Sequence, residues 1–254
     1  MTEETAPIVE LAEWLQSPPG RYAAAWEQAQ IDAIVADVFG FHALQVGLVD
    51  WDLLDHNRMP HKIFASPHAL SQDSEVRTRL CVLADPTALP FESQSIDLLV
   101  LPHILECTAD PHAVLREAER VLMPDGRVVI SGFNPWSLWG ARNNMPAMEP
   151  WLPIGPRQHL SVPRLRDWLK LLSFEVDPAR FGCFTPAASS QKWLDRWDFL
   201  ERPGARWWSV CGNIYVMTAV KRVAGMRLLS PPWKRKRRRK AARAASVVAQ
   251  KVSK

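Results

Sequence analysis

The stretch from Asp85 to Asn134 constrains the fold of this chain more than any other. It reads as a loop, a strand, a helix and a second strand. Ile96–Leu101 and Arg127–Ser131 are short apolar runs rich in Val, Ile and Leu, the composition of strands buried on both faces of a parallel sheet. Between them Asp110 offers an N-cap and Pro111 suits the first helical position. Val114, Leu115, Ala118, Val121 and Leu122 recur at the spacing of one helical face, and Met123-Pro124-Asp125-Gly126 stops the helix. Two buried strands joined by one helix form a crossover unit, and ligands of open parallel sheets sit beyond the carboxyl ends of the strands. Pro102, His103, Gly132, Phe133 and Asn134 fall at those ends.

Other segments fit around this unit. Val9–Gln16 and Arg21–Phe39 are expected to be helices separated by a break at Ser17-Pro18-Pro19-Gly20. His42–Gly47, Lys62–Ala65 and Leu80–Ala84 are expected to be further strands. The connections between them, 48–61 and 66–78, hold barely the dozen residues that a crossover needs. Pro135–Leu160 has no clear period and contains Trp136, Trp139 and Trp151; it reads equally as a lid or as a surface wrap. A helix over Pro163–Leu172 presents Leu165, Trp168, Leu169 and Leu172 on one face. Phe174–Asp177, extending toward Phe184, and Ile214–Lys221 read as late strands.

The net charge of +4 hides a division along the chain. Of 31 Lys and Arg, thirteen lie from Lys221 onward with no acid among them, so the rest of the chain carries 18 against 27 Asp and Glu, about −9. The 254 residues, 47% of them hydrophobic, suffice for a substantial core. No basic start followed by an apolar run and no long apolar segment is present, which points to the cytoplasm. Cys81, Cys107, Cys183 and Cys211 show no Cys-x-x-Cys spacing and read as small buried hydrophobes. The twelve tryptophans, most of them between Trp136 and Trp208, mark either an apolar pocket or a bulky core. Phosphate-loop, nucleophile-elbow and zinc-protease motifs are missing. His103, Glu106 and His112 lack the tight spacing of metal ligands, so no metal is expected.

Asp85-Pro-Thr-Ala-Leu-Pro-Phe91, Ile96-Asp-Leu-Leu-Val100, His103-Ile-Leu-Glu106, Asp110-Pro111 and Leu115-Arg-Glu-Ala-Glu-Arg-Val-Leu-Met-Pro-Asp-Gly126 together resemble the second half of the cofactor domain of class I S-adenosylmethionine-dependent methyltransferases, of the methyltransferase type 11 kind. The resemblance implies an α/β fold with a Rossmann-like, seven-stranded, mostly parallel sheet and helices on both faces. It implies S-adenosylmethionine as cofactor. It places Gly47, Ser66, Asp85, Pro86, Thr87, Leu101 and His103 at the cofactor, with Asp85 accepting from the adenine amine. The first motif is degenerate, because Gln45-Val46-Gly47-Leu48-Val49-Asp50-Trp51 keeps one of the glycines that let backbone approach the cofactor. Asp50 or Asp52 is the nearest acid there, and Ser66 stands where the family has a ribose-binding acid. Asp85-Pro86 has a plainer reading as a turn.

Methyl transfer from a sulfonium is an in-line displacement, which a protein accelerates mainly by aligning donor and acceptor. His103 is the candidate base where the acceptor needs one, with Glu106 orienting its ring; the plainer reading is a histidine packed at the sheet edge. Residues 1–223 are expected to form the domain, with 1–40 as leading helices, and 224–254 a disordered basic tail. Lys234, Arg235, Lys236, Arg237, Arg238, Arg239 and Lys240 would attract a polyanion such as RNA, ribosome or an anionic membrane, or be merely solvated. Two functions stand at this point: methyl transfer to an unidentified acceptor, and a catalytically silent binding or adaptor protein on the same fold, associated with nucleic acid through its tail.

Overall fold

Two helices precede the first strand, and the Ser-Pro-Pro-Gly run between them starts the second. α1 spans Ala6–Leu15 and α2 Pro18–Val35. Ser17 Oγ accepts from Gly20 N at 3.2 Å, and the two prolines occupy the first helical turn, where a missing N–H costs nothing. The expected break is therefore a cap, a feature whose loss costs about 1 kcal/mol. These coordinates are a computed structural model that describes residues 6–68, 80–145, 150–155 and 158–222. The basic run Lys234–Lys240, and most of the connection before Leu80, lie outside the described residues.

The strands are β1 (His42–Val46), β2 (His61–Ser66), β3 (Leu80–Leu83), β4 (Ile96–Pro102), β5 (Leu122–Phe133), β6 (Phe174–Val176), β7 (Arg180–Gly182) and β8 (Ile214–Lys221). They form one sheet in the order β3-β2-β1-β4-β5-β8-β6, with β7 also paired to β8. β1 to β5 are parallel to one another, and β8 runs antiparallel to β5, from Ile214 opposite Phe133 to Val220 opposite Arg127. Eight strands replace the expected seven because the sixth is interrupted. Asp177 N still donates to Thr218 O, but Pro178 has no N–H to give, and the pairing resumes only at Arg180.

The β4-helix-β5 unit follows its sequence except at one junction: the helix ends at Val121, and Leu122 to Gly126, expected as its last turn and stop, already belong to β5, with Leu122 paired to Ile96. Asp110 Oδ1 accepts from Ala113 N at 3.0 Å and starts α3 (Pro111–Val121), whose Val114, Leu115, Ala118 and Val121 are buried. α4 (Leu138–Asn143) lies within the Trp-rich connection, and α5 (Val162–Leu171) buries Val162, Leu165 and Leu169. Two short helices that the sequence pattern did not reveal, α6 (Gln191–Trp197) and α7 (Glu201–Trp207), form an insert before β8.

Helices cover both faces. α1, α3 and α5 pack with Leu44, Val46, Leu99, Leu101, Val128 and Ile130. On the opposite face no helix joins β1 to β2. Ile31, Ile34 and Val35 of α2, with Val49, Leu53, Leu54 and Met59 of that connection, cover Ala43, Phe64, Leu98, Val100, Val129 and Val216 instead. Each such aliphatic side chain, fully buried, contributes about 1.5–3 kcal/mol. The leading helix thus takes the place of the short crossover.

Candidate active site

The loops at the carboxyl ends of β1 to β5 are fixed by side chains within the chain itself. After β1, Gly47 and Leu48 adopt positive φ values of 85° and 45°. The buried Gln45 holds this turn from inside: its Nε2 donates to Leu48 O at 3.1 Å and Trp51 O at 2.7 Å, and its Oε1 accepts from Leu53 N at 3.0 Å. A neutral amide serves here because it both donates and accepts, which a carboxylate cannot do. Asp50 is exposed, and Asp52 Oδ1 accepts from Leu54 N at 2.9 Å. In front of Gly47, Ile8 Cδ1 of α1 and Ile104 Cδ1 each lie 3.0 Å from the position of an added Cβ.

Ser66 Oγ at the end of β2 accepts from His68 N at 3.1 Å. Asp85 beyond β3 is exposed, and its Oδ1 accepts from Thr87 N at 2.8 Å and Thr87 Oγ1 at 2.7 Å. The turn reading of Asp85-Pro86 is therefore realised in the structure, with Pro86 buried and Thr87 half-buried. Farther along, Leu89 N donates to Glu117 Oε1 at 2.7 Å while Arg120 Nη2 donates to Leu89 O at 3.0 Å. That clamp explains why the Leu-Pro-Phe step and α3 occur together. The hydrogen bond from Arg120 holds the Glu117 carboxyl below its ordinary pKa, against the opposing effect of burial. Leu101, 1% exposed, belongs to the core beneath the site.

His103 follows β4 with φ 52° and is wholly buried. Its Nδ1 lies 2.9 Å from Glu106 Oε2 and its Nε2 3.1 Å from Glu27 Oε2 of α2. Burial alone would lower its pKa, but the Glu27 charge, the hydrogen bonds to Glu106 and Glu27 and the Glu106 charge together raise it to about 10. The ring is thus a buried imidazolium donating from both nitrogens. This corrects the expectation of a catalytic base: a base needs a free lone pair and access to its proton, and His103 has neither. The orienting role expected of Glu106 holds, and Glu106 Oε1 also accepts from Phe133 N at 2.9 Å, tying β4 to β5. Glu27 Oε1, by contrast, is buried without a hydrogen-bond partner among the described residues. His112 lies elsewhere, its ring 3.7 Å from that of Trp168.

The Trp-rich connection brings a second histidine to the same place. Phe133 stands between the two, its ring centroid 4.4 Å from His103 and 6.4 Å from His159. Burial, the largest influence, holds the His159 pKa below the ordinary value against the Glu106 charge and a hydrogen bond with the Ile154 backbone, so the ring is neutral near pH 7. Nothing in the local pattern around His159 signalled this, since its neighbours arrive from β5. The connection itself is anchored. Asn143 Oδ1 accepts from Trp151 N and Leu152 N, Asn213 Oδ1 accepts from Trp139 N, and the buried Trp139 packs against Trp14 and Trp151. Of the cysteines, Cys107 and Cys183 are buried as expected, Cys81 is partly so, and Cys211 is exposed.

Comparison with known proteins fits this arrangement. Residues 62–130 match the family model described as Methyltransferase domain, from β2 into β5. The chain is 35% identical over 164 residues to the uncharacterized protein YafS of Escherichia coli (strain K12), which covers 64% of this chain and 65% of that protein. A possible histamine N-methyltransferase from Thermotoga maritima aligns with a TM-score of 0.57 at 14% identity, over 80% of this chain and 90% of its own. A Mesorhizobium loti S-adenosylmethionine-dependent methyltransferase aligns with a TM-score of 0.54 at 16% identity, over 78% and 97%. Residues 62–130 thus resemble a methyltransferase domain, and the fold is that of the class I S-adenosylmethionine-dependent methyltransferases. The cofactor of that class is S-adenosylmethionine.

Proposed function

We propose that this protein transfers a methyl group from S-adenosylmethionine to an acceptor, using the carboxyl ends of β1 to β4 as its cofactor cradle. The observation that carries this reading is the Asp85 turn. It is built on Thr87 at a strand end, clamped by α3, and its Asp85 side chain is exposed. Gly47, Ser66, Asp85, Pro86, Thr87, Leu101 and the His103 backbone are the residues assigned to hold the group. At the adenine and ribose end of this set, the Asp85 carboxylate and the Thr87 and Ser66 hydroxyls are polar groups that fit. At the methionine end, Ile8 and Ile104 stand over Gly47, so fitting the group there requires α1 to yield.

When bound, S-adenosylmethionine supplies an electrophilic methyl on a sulfonium, and the protein's task is alignment. His103, locked between Glu27 and Glu106, is a positioning residue that fixes the end of β4 against β5 and α2. His159 holds a neutral imidazole at this end of the sheet, its nitrogens enclosed as the connection stands, and we assign it the role of base for acceptors that lose a proton once that connection opens. Calorimetric titration with S-adenosylmethionine and its demethylated product tests the reading. The unaltered chain should bind, and Asp85→Ala should bind about tenfold to a hundredfold more weakly, as expected for losing a hydrogen bond to a charged group worth roughly 1.5–3 kcal/mol. Asp125→Asn, which alters an exposed pair with Arg222, should bind as the parent does. Absence of binding by the unaltered chain at millimolar ligand would replace this reading with the silent binding protein, its cradle closed by Ile8 and Ile104.

A further inference from the structure

Tryptophan is exposed in one region of the described chain. Trp136, Trp193, Trp207 and Trp208 have relative exposures of 69, 52, 74 and 57%, and they lie on two segments, the connection after β5 and the α6–α7 insert. Phe199, Leu138 and Val210 on the same segments are exposed as well. Asn134 joins the two: its Nδ2 donates to Val210 O at 2.8 Å and Gly212 O at 2.9 Å, while its Oδ1 accepts from Trp136 N at 3.1 Å. The Trp207 and Trp208 rings sit 6.5 Å apart. Side chains of this size, each carrying ~150–250 Å² of surface, are rarely grouped in water without a partner.

Charge identifies the partner. Residues 134–145 contain Arg142 and no Asp or Glu; residues 191–212 carry Lys192, Arg196, Arg202 and Arg206 against Asp195, Asp198 and Glu201, with the Trp207 end, 202–212, free of acid, and Arg196 lies over the Trp193 ring at 5.5 Å. Exposed Trp bordered by Arg matches the headgroup layer of an anionic bilayer, where the indole ring sits between apolar and wet zones and the guanidinium meets phosphate. Stable attachment takes two signals, and the eleven Lys and Arg from Arg227 onward supply an electrostatic one. Among the described residues no helix is long and apolar enough to cross a membrane, so attachment is to the surface.

We propose that Trp136, Trp207, Trp208 and Val210, with Arg202 and Arg206, form a surface that docks on anionic membranes. The surface adjoins the carboxyl end of β5, the end that carries the candidate active site, and it stands independently of methyl transfer.

Flotation of the full chain with phosphatidylglycerol–phosphatidylcholine vesicles and with pure phosphatidylcholine vesicles tests this. The anionic vesicles should carry the protein up and the neutral ones far less. Trp207→Ser/Trp208→Ser should weaken anionic binding about tenfold or more, from the apolar area withdrawn. In about 0.5 M salt, where charge is largely screened, the residual binding of the parent should vanish in this variant. Its far-ultraviolet circular dichroism and Tm should match the parent, since both side chains are exposed; should they not, Arg202→Glu/Arg206→Glu provides the same test through charge. Equal vesicle binding by parent and variants would overturn the proposal in favour of the tail alone. A concentration-dependent dimer in sedimentation velocity that the Trp variant dissolves, with vesicle binding intact, would assign the surface to a second copy. Loss of RNA binding without loss of vesicle binding would assign it to nucleic acid.

Discussion

Glu27 and His103 meet 3.1 Å apart with both side chains wholly buried, although 76 residues separate them in the chain. The pair fastens α2 to the end of β4, and Glu106 on the other side of the ring fastens β4 to β5. One imidazolium therefore joins a leading helix and two strand ends.

The first prediction concerns pH. The His103 pKa is raised in the folded state, from 6.5 to about 10. Its contribution to stability is then complete below pH 6.5 and is lost as pH rises from there through about 10, because the unfolded chain gives up its proton first. Urea unfolding at pH 6, 8 and 10 should show stability falling across that window. His103→Ala, which leaves two buried carboxyl groups without their partner, should destabilise by roughly 3–5 kcal/mol near neutral pH and flatten the slope.

The second prediction separates the two histidines by spectroscopy. Nitrogen-15 imidazole spectra between pH 5 and 9 should show one ring protonated on both nitrogens throughout, and His103→Asn should delete that signal. A second ring, deleted by His159→Gln, should already be neutral at pH 6.5, because burial depresses its pKa. A His159 that titrates above pH 7 would remove it as the base.

The third prediction concerns the turn after β1. Gly47 has φ 85°, and a Cβ there would also press on Ile8 and Ile104. Gly47→Ala should cost about 1–3 kcal/mol, as strained backbone positions do, read as a fall in the urea midpoint. Paired with Ile8→Ala the loss should be less than the sum of the two single losses, since that change makes room for the new methyl.

A fourth concerns the meeting of β5 and β8. A Cβ on Gly132 would fall 2.7 Å from the Tyr215 hydroxyl, and Tyr215 is wholly enclosed. Gly132→Ala should destabilise by about 1–3 kcal/mol, as overpacking does, and Gly132→Ala/Tyr215→Phe should recover part of it. Thermal melts of the three variants against the parent give the comparison.

Features encoded within a few residues were legible in the sequence. Asp110-Pro111 writes the start of α3, the apolar runs write β4 and β5, and Ile214–Lys221 is a strand at those bounds. The parallel order and the antiparallel strand followed from the resemblance. What depends on distant partners was not legible. Glu27 in α2 looks like any helical glutamate until His103 is placed beside it. His159 lies in a connection without a period, and α6 and α7 are too short to establish one. The role given to His103 failed for the same reason: its position past β4 was readable, but the two carboxylates that keep it protonated come from another helix and from the next turn.

The substitution of α2 for a crossover between β1 and β2 also sets an order of events at the ribosome. α2 is made before any strand, yet the face it covers is complete only when Val216 emerges, roughly 180 residues later. At the usual ~5–20 residues per second, Ile31, Ile34 and Val35 wait on the order of ten to forty seconds for their full set of neighbours. A chain released before β8 is made would leave those residues and the sheet face of Val100 and Val129 without Val216 to close them, and such chains should be the ones that chaperones retain.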